Sequence, residues 1–324
     1  MRRRDFMTLI GGAAAWPVAA RAEPQKIARL GWITTAPAAQ VNPFLAALRA
    51  GLADRGYVEG RNFTIAARYA DGEVGAVLPI ALELIRLPVD LIATQGPATR
   101  ELLKVSAAVP IVYVFSADPV LGGVAESLAR PGTNMTGVTV MSVELNGKRL
   151  ALLREFMPQV RHVAILASPT HAGEELEQAN SMEMARRLGI MVQFFPTPGP
   201  AELEDAYNSM AADPPQAIIV FPDPITFSNR QQIVKFANGQ RIPVVSAWAD
   251  FAEAGALCTY GPKLAESYRR LAYYIDRILK GAKPAELPIE RPTVFELVIN
   301  LKTANVLGID APTTLLARAD RVIE

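Results

Sequence analysis

The chain has 324 residues, enough for two domains of about 150 residues each. Its composition, 50% hydrophobic and 20% charged, excludes a disordered or collagen-like chain, and a net charge of +1 gives no strong field for nucleic acid or an anionic membrane. One cysteine, Cys258, excludes an intrachain disulfide and a Cys-rich metal site, and two histidines, His162 and His171, argue against a His-rich metal centre.

The N-terminus reads as an export signal over residues 1–22. Arg2, Arg3 and Arg4 precede an apolar run from Thr8 to Ala20, and Ala20-Arg21-Ala22 supplies a small-x-small cleavage pattern. The run is shorter than the roughly 20 residues that span a bilayer as a helix. Arg3-Arg4-Asp5-Phe6 fits a twin-arginine core, although Arg2 stands where Ser or Thr is usual. No Cys follows the run, so a lipid anchor is not expected. The reading is a periplasmic protein, cleaved after about Ala22 and slightly acidic once the signal is gone.

Strands and helices then alternate. Residues 27–33, 63–69, 89–93 and 109–115 read as strands, with helices from Asn42-Pro43 to Gly56, over 76–87, and from Gly96-Pro97 to about Ser106. The pattern repeats with strands at 135–140, 162–167, 190–195, 216–221, 242–246 and 255–260. Helices over 143–157, 172–188, 201–211 and 229–238 separate them. Leu264, Tyr268, Leu271, Ile275 and Ile278 form an apolar helical stripe that ends at Gly281. A strand at 294–299 precedes a short helix capped by Asn300 and closed by Gly308. About eleven strands crowd one sheet, so the expected fold is α/β: two doubly wound, Rossmann-like lobes of parallel strands with a ligand cleft between them.

In such sheets ligands sit beyond the C-terminal strand ends. The first strand ends in Trp32, Thr34 and Thr35. Gly96, Pro97, Ala98 and Thr99 open a helix whose N–H groups suit a carboxylate. Ser116 and Asp118 follow the fourth strand; Ser168 and Thr170 occupy the matching place in the second lobe. Asp223 and Trp248 follow later strands. Together they could take the carboxylate, ammonium and side chain of an amino acid. Each also has a plainer role: Ser and Thr as helix caps, Asp118-Pro119 and Asp223-Pro224 as turns, Trp32 as core. His171 reads as a solvated residue at a helix start, and Cys258 as buried and inert. No dinucleotide fingerprint, phosphate loop, nucleophile elbow or zinc-protease motif occurs. No cofactor, metal or nucleic acid is expected, and no enzymatic activity.

These residues resemble a known family. Gly56-Tyr57-Val58-Glu59-Gly60-Arg61-Asn62, Asp118-Pro119-Val120 and Leu128-Ala129-Arg130-Pro131-Gly132-Thr133-Asn134 occur in order. So do Thr136-Gly137, Gly147-Lys148-Arg149-Leu150, Pro222-Asp223-Pro224, Tyr260-Gly261-Pro262, and a tail from Leu279-Lys280-Gly281 to Phe295-Glu296-Leu297-Val298-Ile299-Asn300. This series is similar to that of ABC-transporter substrate-binding proteins of the tryptophan/tyrosine-binding type. The resemblance implies a type I periplasmic-binding fold with three hinge crossings. With them the first lobe takes 23–118 plus 254–288, and the second 119–253 plus 289–324. It also implies a monomer that closes on a small ligand, an amino acid (aromatic ones included) or a related small carboxylate, and delivers it to an ABC permease in the inner membrane. The loop before Asp118 reads Ser116-Ala117 where relatives often carry Gly, so the ligand's identity stays open. Two other readings share the sequence: an exported enzyme with Asp118 and Asp223 as an acid–base pair, and a ligand-sensing module for a membrane sensor.

Overall fold

A computed structural model describes residues 27–324 apart from 106, 107, 141, 142 and 170. The expected export signal and Thr170 lie outside the described residues.

The first lobe holds β1 (Ala28–Thr34), α1 (Ala38–Ala53), β2 (Phe63–Tyr69), α2 (Val77–Arg86), β3 (Leu91–Gln95), α3 (Ala98–Glu101), β4 (Ile111–Phe115) and β5 (Met135–Thr139). The second opens with α4 (Val143–Phe156), β6 (His162–Ala167), α5 (Glu174–Leu188), β7 (Met191–Pro196), α6 (Pro200–Ala212) and β8 (Ala217–Val220). It continues through α7 (Pro224–Ser228), α8 (Arg230–Gly239), β9 (Val244–Ser246), α9 (Ala249–Glu253) and β10 (Cys258–Pro262). The chain returns to the first lobe as α10 (Leu264–Leu279). It ends in the second with β11 (Phe295–Asn300), α11 (Leu301–Leu307), α12 (Thr313–Leu316) and β12 (Arg321–Ile323).

The first sheet runs β2-β1-β3-β4-β5, all parallel. β3 and β4 are buried along their whole length, as strands covered by helices on both faces must be. The second sheet runs β12-β11-β10-β9-β8-β6-β7 and is parallel except where β10 meets β11. That antiparallel pair follows from the chain leaving the lobe at Pro262 and re-entering beside it at Phe295, at the same end of the sheet.

Sheet membership corrects the expected lobe boundaries. β5 is bonded to β4, so the first lobe runs past 118 to Val140; β10 is bonded to β9, so the second lobe keeps 254–262. The long irregular stretch between β4 and β5 resembles a lobe change in sequence, yet it folds back onto the first sheet. The crossings fall between Val140 and Val143, Pro262 and Leu264, and Glu290 and Phe295.

α1 also starts earlier than expected, at Ala38, with Pro43 inside it. Proline there has no N–H to give the carbonyl four residues back. Burial of Val41, Phe44, Leu45, Leu48 and Leu52 outweighs that loss, each contributing about 1.5–3 kcal/mol when buried. Against this stripe lie Tyr268, Leu271, Ala272 and Ile275 of α10, in the same core cluster. Gly51 permits the close crossing: a Cβ there would sit 2.4 Å from the Arg269 carbonyl oxygen. At the far end the expected cap is present: Asn300 Oδ1 accepts from Thr303 N at 3.0 Å, and Gly308 closes α11 at φ +71°.

Candidate ligand site between the lobes

Strand order reverses between β1 and β3 in the first sheet and between β6 and β8 in the second. At such switch points the loops after the strands diverge and leave a crevice. The loop after β1 carries Thr35, the loop after β3 carries Gly96 and Pro97, and the loop after β8 carries Asp223 and leads to Pro224. These loops face one another, and between them lies a cavity lined from both lobes.

The lobes are shut on it. Asp118 N, in the first lobe, donates to Ala172 O of the second at 3.0 Å. His171 Nε2 lies 3.4 Å from Ser116 Oγ across the same boundary. Gly96 takes φ +56°, and a Cβ there would lie 3.5 Å from Pro224 of the opposite lobe.

The walls are aromatic. Phe44 on α1 stacks on Tyr268 of α10 with centroids 4.5 Å apart. Facing them, Phe227 meets Trp248 edge-on at 5.3 Å, and Arg230 Cζ lies 4.5 Å over the outer face of Phe227. The polar lining is a short relay: Tyr268 OH donates to Gln95 Oε1, and Gln95 Nε2 donates to Thr34 Oγ1 at 3.0 Å. Burial, with the charge of Asp250, pushes the Tyr268 hydroxyl far up, so it stays protonated. The Trp248 indole N–H is buried and has no partner among the described residues. No charged side chain occurs among the described residues of the lining.

Thr34, Thr35, Gly96, Pro97, Ser116 and Trp248 line the cavity. The others are placed differently. Trp32 is wholly buried beneath Tyr268, 6.3 Å away, in the core. Ala98 and Thr99 are also wholly buried, because the expected helix is only α3 followed by a 3-10 turn, Leu102–Lys104. Asp118 spends Oδ1 on its own turn, accepting from Val120 N at 2.8 Å and Leu121 N at 2.9 Å. Ser168 is buried at the end of β6, outside the lining. Asp223 caps α7 through Ile225 N at 2.7 Å and sits one residue behind the lining. The two carboxylates proposed as an acid–base pair thus each serve a separate turn.

Sequence reasoning missed Phe44, Tyr268, Phe227 and Gln95 in the lining. Phe44 and Tyr268 belong to helical stripes that also build the core. It also misjudged His171, whose side chain is 6% exposed rather than solvated. His171 Nδ1 lies 3.5 Å from Glu177 Oε2, and Asn146 Nδ2 donates to Glu177 Oε1 at 3.1 Å. Arg149 donates to Asn146 Oδ1 and, at 2.9 Å, to Tyr260 O. Burial pulls the imidazole's pKa down, but Glu177, with Asp223 and the Ser116 backbone, overrides it and leaves it raised. Burial drags the Arg149 guanidinium down to about 10 against the pull of Glu177.

Among the described residues no cluster of His, Cys, Asp or Glu could hold a metal ion, and no helix is long and apolar enough to cross a membrane. Cys258 is buried, and burial pushes its thiol up to about 12.

The chain is 23% identical over 262 residues to a tyrosine-binding protein of Clostridioides difficile, covering 79% of this chain and 74% of that one. Its fold matches the ABC domain in complex with L-Trp from Streptococcus pneumonia, with TM-score 0.85 and 23% identity over 92% of this chain and all of that one. A conserved domain protein of Vibrio cholerae gives TM-score 0.84 at 25% identity, with the same coverage. A family profile described as ABC transporter substrate binding protein matches residues 43–323, and the chain belongs to that family.

Proposed function

We propose that this chain is the solute receptor of an ABC importer, acting in the periplasm and handing its ligand to a membrane permease. Its ligand is a small solute with a flat apolar body and a hydrogen-bonding head. L-tryptophan and L-tyrosine are the first candidates, being named for a structural neighbour and a sequence relative.

The observation that carries this reading is the lining. Four aromatic rings from both lobes enclose the cavity, and its described polar groups are neutral. Such a wall favours stacking over charge pairing. Shut lobes supply contacts from both sides at once, as a hinged receptor requires.

The test is a thermal-shift panel on the purified protein. L-tryptophan, L-tyrosine, L-phenylalanine and their amide and decarboxylated analogues are compared with glycine, glutamate and glucose. Aromatic solutes should stabilise by about 2.7 kcal/mol at 100 times Kd and be recovered unchanged. Stabilisation by glucose alone, or chemical turnover of a bound solute, would refute the reading.

A further inference from the structure

A line of buried polar groups runs behind the cavity without lining it. It passes from Tyr260 O through Arg149, Asn146 and Glu177 to His171, all in the second lobe. His171 then reaches Ser116, which is in the first lobe and lines the cavity. Burying such a network costs several kcal/mol per ion before pairing returns it, so stability alone is a weak reason for it. The contact it ends in lies beside a second one, Asp118 N to Ala172 O. Residues 116–118 and 171–172 thus form one strip along which the lobes touch.

We propose that His171 is the clasp of the cleft: a positioning residue, fixed by Glu177 on its own lobe, that grips Ser116 on the other and couples closure to the cavity wall. Glu177 aims the ring; Asn146 and Arg149 hold Glu177; opening the lobes breaks the link at Ser116. The inference rests on the reading that the cleft closes on a solute, and it names the residue that makes closure cohesive.

The Asp118 amide reports on this directly, because its hydrogen bond to Ala172 O crosses from one lobe to the other. Hydrogen exchange by NMR on the purified protein, with no solute added, should find that amide protected. His171→Ala and Ser116→Ala should each speed its exchange about tenfold, the weight of one charge-assisted hydrogen bond, while amides of β4 keep their rates. The double variant should be little faster than either single one, since both break the same contact. Glu177→Gln, which keeps shape but removes charge, should fall between. If His171→Ala fails to fold, Ser116→Ala carries the test from the other lobe. An Asp118 amide exchanging as fast in wild type as in the variants overturns the proposal. So does a uniform speeding of all second-lobe amides, which would make His171 a structural support. No solute enters this measurement, so failure of L-tryptophan and L-tyrosine to bind would sink the ligand reading separately.

Discussion

Replacing Trp248 by Phe separates recognition from packing. Trp248 is 5% exposed, its ring meets Phe227 at 5.3 Å, and its N–H has no partner among the described residues. Phe keeps an aromatic ring against Phe227 but removes the donor. The smaller ring leaves a void worth roughly 1 kcal/mol of stability. Removing an unpaired buried donor returns a similar amount, about 1–3 kcal/mol, so the unliganded protein should melt within about 4 °C of wild type. Binding should respond differently. A solute acceptor that met the indole N–H would lose its partner in a dry site, at about 1–2 kcal/mol, or about 5- to 30-fold in Kd. Calorimetric titration with L-tryptophan, beside a thermal melt, measures both quantities. An unchanged Kd with an unchanged melt would refute the expectation that a solute acceptor meets the indole N–H. A melt lowered by more than about 10 °C would make Trp248 structural instead.

Three further outcomes follow from the geometry. Gly51→Ala should cost about 1–3 kcal/mol in urea unfolding, because its Cβ would press on the Arg269 carbonyl and force α1 from α10. Asp118→Ala should lose about 1 kcal/mol of turn stability and weaken solute binding less than tenfold, since Asp118 serves its own loop; abolished binding would restore it to the site. Stability should fall with rising pH in wild type more than in His171→Gln. Facing the ring are the Glu177 and Asp223 carboxylates and Ser116 from the first lobe, with Arg149 behind Glu177. With the pKa raised from 6.5, the charged ring's contribution is complete below that value and lost as pH rises through the raised one. Melting curves from pH 5.5 to 8.5 in both proteins check this, and parallel curves would contradict it.

The sequence displayed the alternation of strand and helix plainly, and the rule that ligands sit beyond strand ends led to Thr34, Thr35, Gly96, Pro97, Ser116 and Trp248. It could not separate Trp32 from these, because a strand buried on both faces has no polar side to mark which residue looks outward. Phe44 and Tyr268 were hidden by a double role: both belong to the α1–α10 core and both line the cavity. Phe227 sits on a five-residue helix, too short for a periodic signal. His171 was misjudged because one of its partners, Ser116, lies 55 positions away in the other lobe. The same blindness to long-range pairing misplaced the crossings, since nothing local tells β5 to join β4.

Native mass spectrometry on the purified protein, incubated with an equimolar mixture of L-tryptophan, L-tyrosine, glutamate and glucose, tests the central claim most directly. The aromatic, neutral-walled cavity predicts one aromatic solute per chain, released on unfolding at its original mass. A complex with glucose or glutamate in its place, or release of a chemically altered solute, would contradict it.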